Sequence, residues 1–389
     1  MAIKPVSEIA EIISGGTPKT SNQEYWGGNI PWLSVKDFNN GSKYVSNTEK
    51  TITRKGLEHS TTNLLQKNDI ILSARGTVGA MAKISKPMAF NQSCFGIRAK
   101  SGLDQDFLYY ALKNKITELT AFTQGSVFST INRSSFDQWL LDIPSVRKQK
   151  SISHILSVLD AKIEINTQIN DYLSEIASAL FSHEILESID DTWLRASLLD
   201  IASYKNGLAM QKYRPEKDDP GLPVLKIKEL AQGQCAADAE RCRSGIDESV
   251  KVFDGDLIFS WSGTLLLDFW AGGNAGLNQH LFKVTSKKYK QWFYYFWTNY
   301  HMRKFITLAK DRATTMGHIK RSALAESEVY IPNENKMNEL DKLFDPLIKK
   351  IISLKIESRI LSELRNELLP KLMSGEIDVC KVGVLVERL

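Results

Sequence analysis

The sequence from Lys148 to Phe181, KQKSISHILSVLDAKIEINTQINDYLSEIASALF, decides the architecture because it has the periodicity of a long helix. Apolar residues recur along it in steps of four and three or their sums, which places them on one face of an α-helix. These positions are Ile152, Leu156, Leu159, Ile163, Leu173 and Leu180. A helix of this length would extend roughly 50 Å at about 1.5 Å per residue. The stretch therefore predicts a rod-like helix.

The same apolar pattern returns 188 residues later, near the C-terminus. The equivalent positions are Leu340, Phe344, Leu347, Ile351, Leu361 and Leu368. Two equivalent helices that bury this face against each other across a pseudo-two-fold axis run antiparallel. Asn166 and Asn170 lie in the predicted seam, where polar residues either fix the helix register or remain at the surface. Pro346 predicts a kink or a late start of the second helix.

The repetition extends to the regions that precede each helix, and it keeps the same order. Four short motifs occur in both halves: PWLSVKD (31–37) and PVLKIKE (223–229), DIILSARGT (69–77) and DLIFSWSGT (256–264), Asn91-Gln92 and Asn278-Gln279, and Ile143-Pro144 and Ile331-Pro332. Their separations differ by only a few residues, as insertions and deletions in loops would produce. The chain is therefore predicted to contain two copies of one domain, each followed by a long helix.

The order of the motifs predicts five segments: domains at 1–147 and 190–333, helices at 148–189 and 334–375, and a C-terminal tail at 376–389. Within the first domain, short apolar runs bounded by turn residues predict strands at Leu33–Val35, Ile70–Ser73 and Phe95–Ile97. Domain helices are predicted at 107–119 and 291–302. The predicted fold class is α+β, with mainly antiparallel sheets in two similar globular domains and two long antiparallel coiled-coil helices, all arranged as a pseudo-two-fold internal repeat.

The stretch from Trp292 to Trp297 contains six consecutive aromatic residues. Such a stripe can stack on nucleic-acid bases, but a buried helix packed on a sheet is the favoured interpretation.

The composition of the whole chain, 42% hydrophobic and 24% charged over 389 residues, is sufficient for two or three buried cores. Cys94, Cys235, Cys242 and Cys380 lack zinc-knuckle spacing and are expected to be thiols.

The charge distribution suggests a polyanionic partner without proving one. Residues 1–147 carry 17 Lys and Arg against 12 Asp and Glu, and residues 190–331 carry 20 against 17. Excess positive charge on compact domains is expected of proteins that bind polyanions, although ordinary surface charge explains values of this size equally well. Apolar runs of roughly 18 residues and a signal-peptide pattern are both absent, so a cytoplasmic protein without membrane contact is expected.

Sequence motifs for catalysis are absent from the chain. The Pro-Pro dipeptide of an adenine methyltransferase loop does not occur, and neither does a Gly-x-x-x-x-Gly-Lys phosphate-binding loop. Glu334-Asn335-Lys336 resembles the end of a metal-dependent nuclease motif, but the first repeat has no equivalent. The six histidines are scattered without metal-ligand spacing. The chain is therefore expected to be non-catalytic and to hold no metal.

The duplicated motifs resemble the specificity (S) subunits of type I restriction-modification enzymes. The resemblance rests on Asp69–Gly79 and its repeat, on Asn91-Gln92, and on Ile143-Pro144 before a long helix, and it covers residues 3 to 379. Two departures concern the helix entries, which lack the family's Ile-Pro-x-Pro followed by Glu-Gln, and Leu266, which stands where the first repeat has Gly79.

The resemblance implies an adaptor that recognises double-stranded DNA. Each domain would be a target recognition domain for one half of a bipartite, asymmetric site. The helices would set the spacing and dock two modification (methyltransferase) subunits, and restriction (translocase and nuclease) subunits would complete the complex. S-adenosylmethionine, ATP and Mg²⁺ would belong to those partners, with no cofactor in this chain. The alternatives are a specificity chain of a related type with its own nuclease activity and, more weakly, an adaptor that binds only proteins.

Candidate DNA contacts combine side-chain chemistry with repeated position. Arg75 lies beside Gly76 on a predicted turn, where it can reach a guanine edge or a phosphate. Gln92 and Gln279 can pair with adenine, although Asn91-Gln92 is equally well interpreted as a turn cap. The other candidates are Thr77 and Thr264 in the turns, Lys36, Lys226 and Lys228 for phosphates, and Gln124, Ser126, Arg133, Arg312, Thr315, His318, Lys320 and Arg321 in two polar loops.

The first long helix is apolar outside its seam as well. The additional apolar residues are Ile155, Ile165, Ile169, Tyr172 and Ile176. A rod with this much apolar surface needs a further partner in water. This surface is therefore predicted to bind the modification subunits.

Overall fold

The chain, described here from a computed structural model, divides into two compact units. Residues 2–39, 41–124, 130–310 and 319–379 are described. Unit 1 contains the residues up to Glu164 and those from Leu361 onward, and unit 2 contains Ile165–Ile360. Each unit therefore combines one domain with part of each long helix.

The central helix spans Val146–Phe181 and continues into a π-helical turn at Ser182–Leu186. The distal helix spans Glu334–Ser374. Each long helix begins shortly after an Ile-Pro pair, as predicted. The residue before a proline disfavours helical geometry, so the helix starts only after this pair. Both helices contribute residues to unit 1 and to unit 2.

The two long helices are antiparallel in each unit. In unit 1, Ile152 near the start of the central helix shares a core with Leu369 and Leu372 near the end of the distal helix. In unit 2, Phe181 at the end of the central helix shares a core with Leu340 near the start of the distal helix. The antiparallel arrangement predicted from the repeat is therefore confirmed.

The distal helix passes through Pro346, so the late start predicted there is wrong. A proline in a helix interior removes one main-chain hydrogen bond and costs about 3 kcal/mol. Leu340 and Phe344 on the preceding turns are buried. Full burial of each such side chain contributes about 1.5–3 kcal/mol, which offsets the cost of the proline.

The residues of the predicted seam are buried or half-buried. Ile152, Leu156, Leu159, Leu340, Phe344, Ile351 and Leu361 are buried, and Ile163, Leu173 and Leu347 are half-buried. Most of them do not contact only the other helix, because the domain cores include them as well. The ring of Phe344, for example, stacks on Trp292 of the second domain with the centroids 4.6 Å apart.

Each domain contains the same antiparallel sheet of four strands. In domain 1 the order is Ala10–Ser14, Cys94–Ala99, Ile70–Ser73 and Met81–Ile84, with Tyr44–Val45 added in parallel at the edge. In domain 2 the order is Ser203–Asn206, Leu281–Thr285, Leu257–Ser260 and Leu267–Phe269. The predicted strands at residues 70–73 and 95–97 are confirmed.

A second four-stranded sheet is also repeated, and its two central strands are parallel. In domain 1 the order is Lys50–Ile52, Trp26–Leu33, Met88–Phe90 and Leu64–Leu65. In domain 2 the order is Arg241–Cys242, Leu222–Leu225, Ala275–Leu277 and Lys251–Val252. The strand predicted at residues 33–35 ends at Leu33, because the Ser34 hydroxyl donates to Asp37 over 2.8 Å and caps a 3-10 turn.

A two-stranded antiparallel ribbon leads into each long helix. Ala2–Pro5 pairs with Leu140–Ile143 in domain 1, and Leu194–Ser197 pairs with Glu328–Ile331 in domain 2. The short helices are Val6–Ile9, Arg54–Glu58, Ser135–Gln138, Leu198–Ile201, Ile227–Gln232 and Arg321–Ala325, and the 3-10 turns are Gln23–Tyr25, Val35–Asp37, Met210–Lys212 and Glu248–Val250.

A longer helix packs on the sheet of each domain, at Gln105–Gln124 and Gln291–Lys310. Trp292, Phe293 and Trp297 are buried in the core of unit 2. These rings are therefore inaccessible to nucleic-acid bases, and the predicted buried helix is confirmed.

Within the described ranges, Cys94, Cys235 and Cys242 are free thiols, whereas Cys380 lies outside them. No helix in the described part of the chain is long and apolar enough to cross a membrane.

A buried polar cluster joins domain 1 to both long helices within unit 1. The Lys43 ammonium donates to the Tyr110 hydroxyl and to Ser157 Oγ, over 2.9 Å in each case. Asp160 of the central helix accepts from Tyr110 and, over 2.6 Å, from Arg365 of the distal helix. Burial lowers the pKa of Lys43 and raises the pKa of Tyr110. The cluster fixes both helices on domain 1 through directional contacts.

Candidate nucleic-acid interface

Lys36 and Gln92 follow two parallel strands of domain 1 that end side by side. Leu33 pairs with Phe90 in this register, and the N–H of Asn91 donates to the carbonyl of Leu33 over 2.9 Å. Parallel pairing brings the C-terminal ends of both strands to one edge. The side chains of Lys36 and Gln92 are exposed at that edge.

Arg75 and Thr77 lie in the turn after strand Ile70–Ser73, close to the same edge. The amide of Asn39 donates to Thr77 Oγ1 over 3.4 Å, which joins this turn to the segment that holds Lys36. Gly76 has a φ of +78°, in the left-handed region that favours glycine. Both flanking side chains are exposed. The structure therefore brings four of the predicted DNA contacts in domain 1 together.

Domain 2 builds the same edge from equivalent segments. Leu225 pairs in parallel with Leu277, and the N–H of Asn278 donates to the carbonyl of Leu225 over 3.1 Å. Gly263 repeats the left-handed turn with a φ of +63°, and a Cβ at this position would lie 3.7 Å from Ile227. The predicted residues that follow these segments are Lys226, Lys228, Thr264 and Gln279.

The predicted phosphate contacts differ in their availability. Lys36 and Lys228 are exposed, whereas Lys226 is half-buried and forms an ion pair of 2.6 Å with Glu240. The hydrogen bond from Lys226 holds the pKa of the Glu240 carboxyl below its ordinary value. A phosphate at Lys226 would have to compete with this carboxylate, so Lys36 and Lys228 are the stronger candidates.

Arg133 and Arg321 attach the polar loops to the first sheet strand of each domain. Nη2 of Arg133 donates to the carbonyl of Ile12, and Nη2 of Arg321 donates to the carbonyl of Tyr204, over 3.0 Å in each case. The two arginines therefore have equivalent roles in positioning their loops. Both side chains remain exposed. A DNA contact by either arginine stays a prediction, and it would use the guanidinium N–H groups that do not bond to the carbonyl.

The remaining loop candidates are only partly described. Lys320 is exposed immediately before the short helix Arg321–Ala325. Gln124 is the last residue of its helix, and its side chain lies outside the described part of the chain. Ser126, Arg312, Thr315 and His318 also lie outside the described residues.

Two residues beside the repeated glutamines were missed by sequence reasoning. The hydroxyl of Thr17 donates to Oε1 of Gln92. His280 lies next to Gln279, with 3.3 Å between the amide nitrogen and Nε2 of the ring. His280 adjoins a repeated motif and could have been noticed, whereas Thr17 is distant in sequence from Gln92. The side chains of Asn91 and Asn278 cap the turns, since Oδ1 of each accepts the N–H of the residue two positions on.

The central helix exposes an apolar strip within unit 2. Ile165, Ile169, Tyr172 and Ile176 are 50%, 37%, 64% and 52% exposed. Ile155 is only 1% exposed and belongs to the core of unit 1, so its assignment to a partner surface is wrong. Domain 1 packs against the helix at that point and covers the face that the sequence analysis assigned to a partner.

Asn166 and Asn170 are buried, so the alternative of surface exposure is wrong for both. The amide of Asn166 donates to Oε2 of Glu357 on the distal helix over 2.9 Å. A polar contact between helices that involves a buried amide favours a single register, because a shift would separate the amide from this partner.

A family model described as the type I restriction modification DNA specificity domain matches residues 1–175 and again residues 190–365. The chain belongs to the type I restriction-modification DNA specificity family. The two matched ranges follow the repeat found in the sequence, and the predicted family is therefore confirmed. The predicted role as a DNA-specificity subunit, distinct from the catalytic subunits of such systems, is confirmed with it.

Known relatives agree with this assignment, and one of them matches nearly the whole chain. The type I restriction enzyme MjaIX specificity subunit of Methanocaldococcus jannaschii is 27% identical over 97% of this chain and 93% of its own length. The EcoR124I/EcoR124II specificity subunit of Escherichia coli is 29% identical over 40% of each chain. The crystal structure of the type I restriction-modification S subunit from M. genitalium has the same fold, with a TM-score of 0.55, 18% identity and 95% coverage of both chains.

Proposed function

We propose that this specificity subunit recognises a bipartite, asymmetric site in double-stranded DNA, with one half-site at each of the two repeated edges. The observation that carries the proposal is that both domains build the same edge from equivalent strand ends and glycine turns. Base recognition needs donors and acceptors that can reach a groove, and phosphate contacts need exposed cations. Each edge supplies a glutamine amide, a threonine hydroxyl and an exposed lysine.

The asymmetry of the proposed site follows from differences between the edges. Arg75 in the first turn corresponds to Ser262 in the second, and Ser93 after the first glutamine corresponds to His280 after the second. The exposed Arg75 suits two acceptors on guanine, whereas Ser262 is buried and offers no equivalent contact. Two edges with one backbone plan and unlike side chains would select different base sequences.

The exposed apolar strip of the central helix supports a second part of the proposal, a docking site for a modification subunit. Tyr172 and its three isoleucine neighbours form an apolar surface with an aromatic centre, which is typical of residues that dominate binding energy in protein interfaces. Two modification subunits and the restriction subunits would complete the assembly. In this proposal S-adenosylmethionine, ATP and Mg²⁺ belong to those partners, and the complex acts in the cytoplasm.

Footprinting tests the two-edge model. The full chain, assembled with its modification subunit, is incubated with duplexes that carry the site selected by the complex, and backbone protection is mapped. Two short protected elements separated by an unprotected gap are expected. One continuous protected element would contradict the proposal. Arg75→Ala should weaken recognition of one element only, and Lys228→Ala should lower affinity at the other with no change in base preference.

A further inference from the structure

The repeated glutamines are held at opposite ends of their amide groups. In domain 1, the hydroxyl of Thr17 donates to Oε1 of Gln92, so the carbonyl end is engaged. In domain 2, Nε2 of Gln279 lies 3.3 Å from Nε2 of His280, so the nitrogen end is engaged. Equivalent side chains on equivalent loops therefore present different groups to their surroundings.

The contact in domain 2 indicates which ring nitrogen of His280 accepts a hydrogen bond. An amide nitrogen donates and does not accept, so the Nε2 atom of His280 is the acceptor. The ring proton of the neutral histidine then lies on Nδ1, which is 3.1 Å from Ser262 Oγ and donates to it. Gln279, His280 and Ser262 thus form one chain of hydrogen bonds with a defined direction.

The two orienting residues are not shared between the domains. Gly16 and Leu208 make equivalent main-chain bonds, to the carbonyls of Phe90 and Leu277, and the next residues are Thr17 and Ala209. Ala209 has no hydroxyl. Ser93 stands in domain 1 at the position of His280, since each follows the repeated Asn-Gln pair. Each domain therefore orients its glutamine by a different residue at a different position.

We propose that Thr17 and His280 are positioning residues that give the two glutamines different base preferences, an inference that rests on the proposed function. Held by its carbonyl oxygen, Gln92 presents its amide N–H donors, which match the O6 and N7 acceptors of guanine. Held by its nitrogen, Gln279 presents Oε1 and its other N–H, which match the N6 donor and N7 acceptor of adenine. One repeated residue thereby contributes to two different half-sites.

Selection from a random duplex library tests the inference. The full chain, assembled with its modification subunit, is used as wild type and as the variants Thr17→Val, Thr17→Ser and His280→Ser. Thr17→Val removes the donor at nearly constant volume and should reduce a guanine preference at one position of one half-site about tenfold. Thr17→Ser keeps the hydroxyl and should retain that preference. His280→Ser should reduce an adenine preference at one position of the other half-site only.

A reciprocal variant adds a test in which a new base preference is gained, so that the inference does not depend on a loss of binding alone. Ala209→Thr combined with His280→Ser gives domain 2 the orienting residues of domain 1. At the position contacted by Gln279, the preference should change from adenine towards guanine, while the other half-site stays unchanged. A change of base preference at a single position is a readout that a general loss of stability does not produce. Thermal unfolding of each variant provides the control for folding.

The outcomes separate this inference from the proposed function. Selection of no bipartite sequence by the wild-type complex would overturn both. A bipartite wild-type site whose base preferences are unchanged in Thr17→Val and His280→Ser would overturn only the inference, as would a uniform loss of affinity without a change at one position. Single-position changes confined to the expected half-sites support it.

Discussion

At the scale of single residues, Gly15 and Gly207 mark equivalent points of close main-chain approach. A Cβ on Gly15 would overlap the carbonyl oxygen of Asn91, and one on Gly207 would overlap the carbonyl oxygen of Leu277. Both carbonyls belong to the segments that carry the repeated glutamines or adjoin them. The absence of a side chain therefore allows the first sheet strand to pass close to the candidate DNA-binding edge.

Gly207→Ala is expected to destabilise the protein by about 1–3 kcal/mol, because overpacking forces the backbone to shift. Thermal unfolding followed by circular dichroism measures the change. Gly245→Ala is the matched control, since a Cβ there has no heavy atom within 4 Å. The control should alter the free energy of unfolding by less than about 0.5 kcal/mol. Equal losses in the two variants would show that close approach is not the cause.

Arg133 and Arg321 show why residue type alone was insufficient to assign the site. The sequence indicated exposed cations in polar loops, and such residues suit phosphate or base contacts. In the structure each guanidinium donates to a main-chain carbonyl of its own domain. The nearby carbonyl comes from a strand more than a hundred residues away in sequence, so no local pattern could have revealed it.

At the scale of elements, the two ends of the helix pair are attached to their domains by apolar packing together with polar contacts that differ between the units. In unit 1 the polar contacts form a buried cluster that includes Lys43 and Asp160. In unit 2, Trp292 stacks on Phe344, and Arg359 of the distal helix forms an ion pair with a domain carboxylate. Hydrophobic packing tolerates small adjustments, whereas a buried polar cluster accepts only one arrangement. The repeat therefore preserves the backbone plan without preserving the contacts.

Asp160→Ala is expected to destabilise unit 1 by about 3–5 kcal/mol, because it leaves the guanidinium of Arg365 buried without its carboxylate partner. Chemical denaturation monitored by tryptophan fluorescence gives the magnitude. Glu58→Ala is the control, since it removes an exposed ion pair with Arg54 one helical turn away. That change should cost less than about 0.5 kcal/mol. A similarly small effect for Asp160→Ala would rule out a structural role for the cluster.

The apolar strip of the central helix leads to a prediction about assembly. Tyr172→Lys should weaken binding of the modification subunit at least tenfold, because it places a charge at the centre of an apolar interface. Asp171→Lys is the control, as Asp171 is exposed on another face of the same helix. Isothermal titration or size-exclusion chromatography of the mixed subunits gives the affinities. Equal binding by the two variants would contradict the proposed docking surface.

At the scale of the whole molecule, the helix pair is predicted to act as a spacer between the two proposed half-sites. Adding seven residues after Asn170 and seven at the facing turn of the distal helix should lengthen the helices by about 10 Å. The gap between the half-sites should then grow by about three base pairs, at about 3.4 Å per base pair, with both half-sites unchanged. Site selection with the assembled complex measures the gap.

The control for this prediction is an insertion in the central helix alone. It would separate Asn166 from Glu357 and mismatch the buried faces, so reduced stability is expected instead of a longer gap. An unchanged gap in the matched variant, with normal stability and normal half-sites, would refute the spacer model.

The candidate site shows how far sequence reasoning reached. The repeated motifs identified Gln92, Gln279 and the two glycine turns as related positions, because duplication leaves residue types in register. They did not show that these segments meet at one edge, which depends on the parallel pairing of strands distant in sequence. They also did not separate Ile155 from the exposed strip, because the covering domain lies outside the helical pattern.

The sequence by itself predicted two repeated domains, their order and the antiparallel helices, because periodicity and duplication are properties of the chain. Its repeated motifs also carried the resemblance to the family. Only the tertiary structure decided which polar groups face each other. Gln92 meets Thr17 and Gln279 meets His280 through folding, not through spacing. Hydrogen-bond direction depends on positions to within a few tenths of an ångström, and such positions are set by the packing of the whole domain.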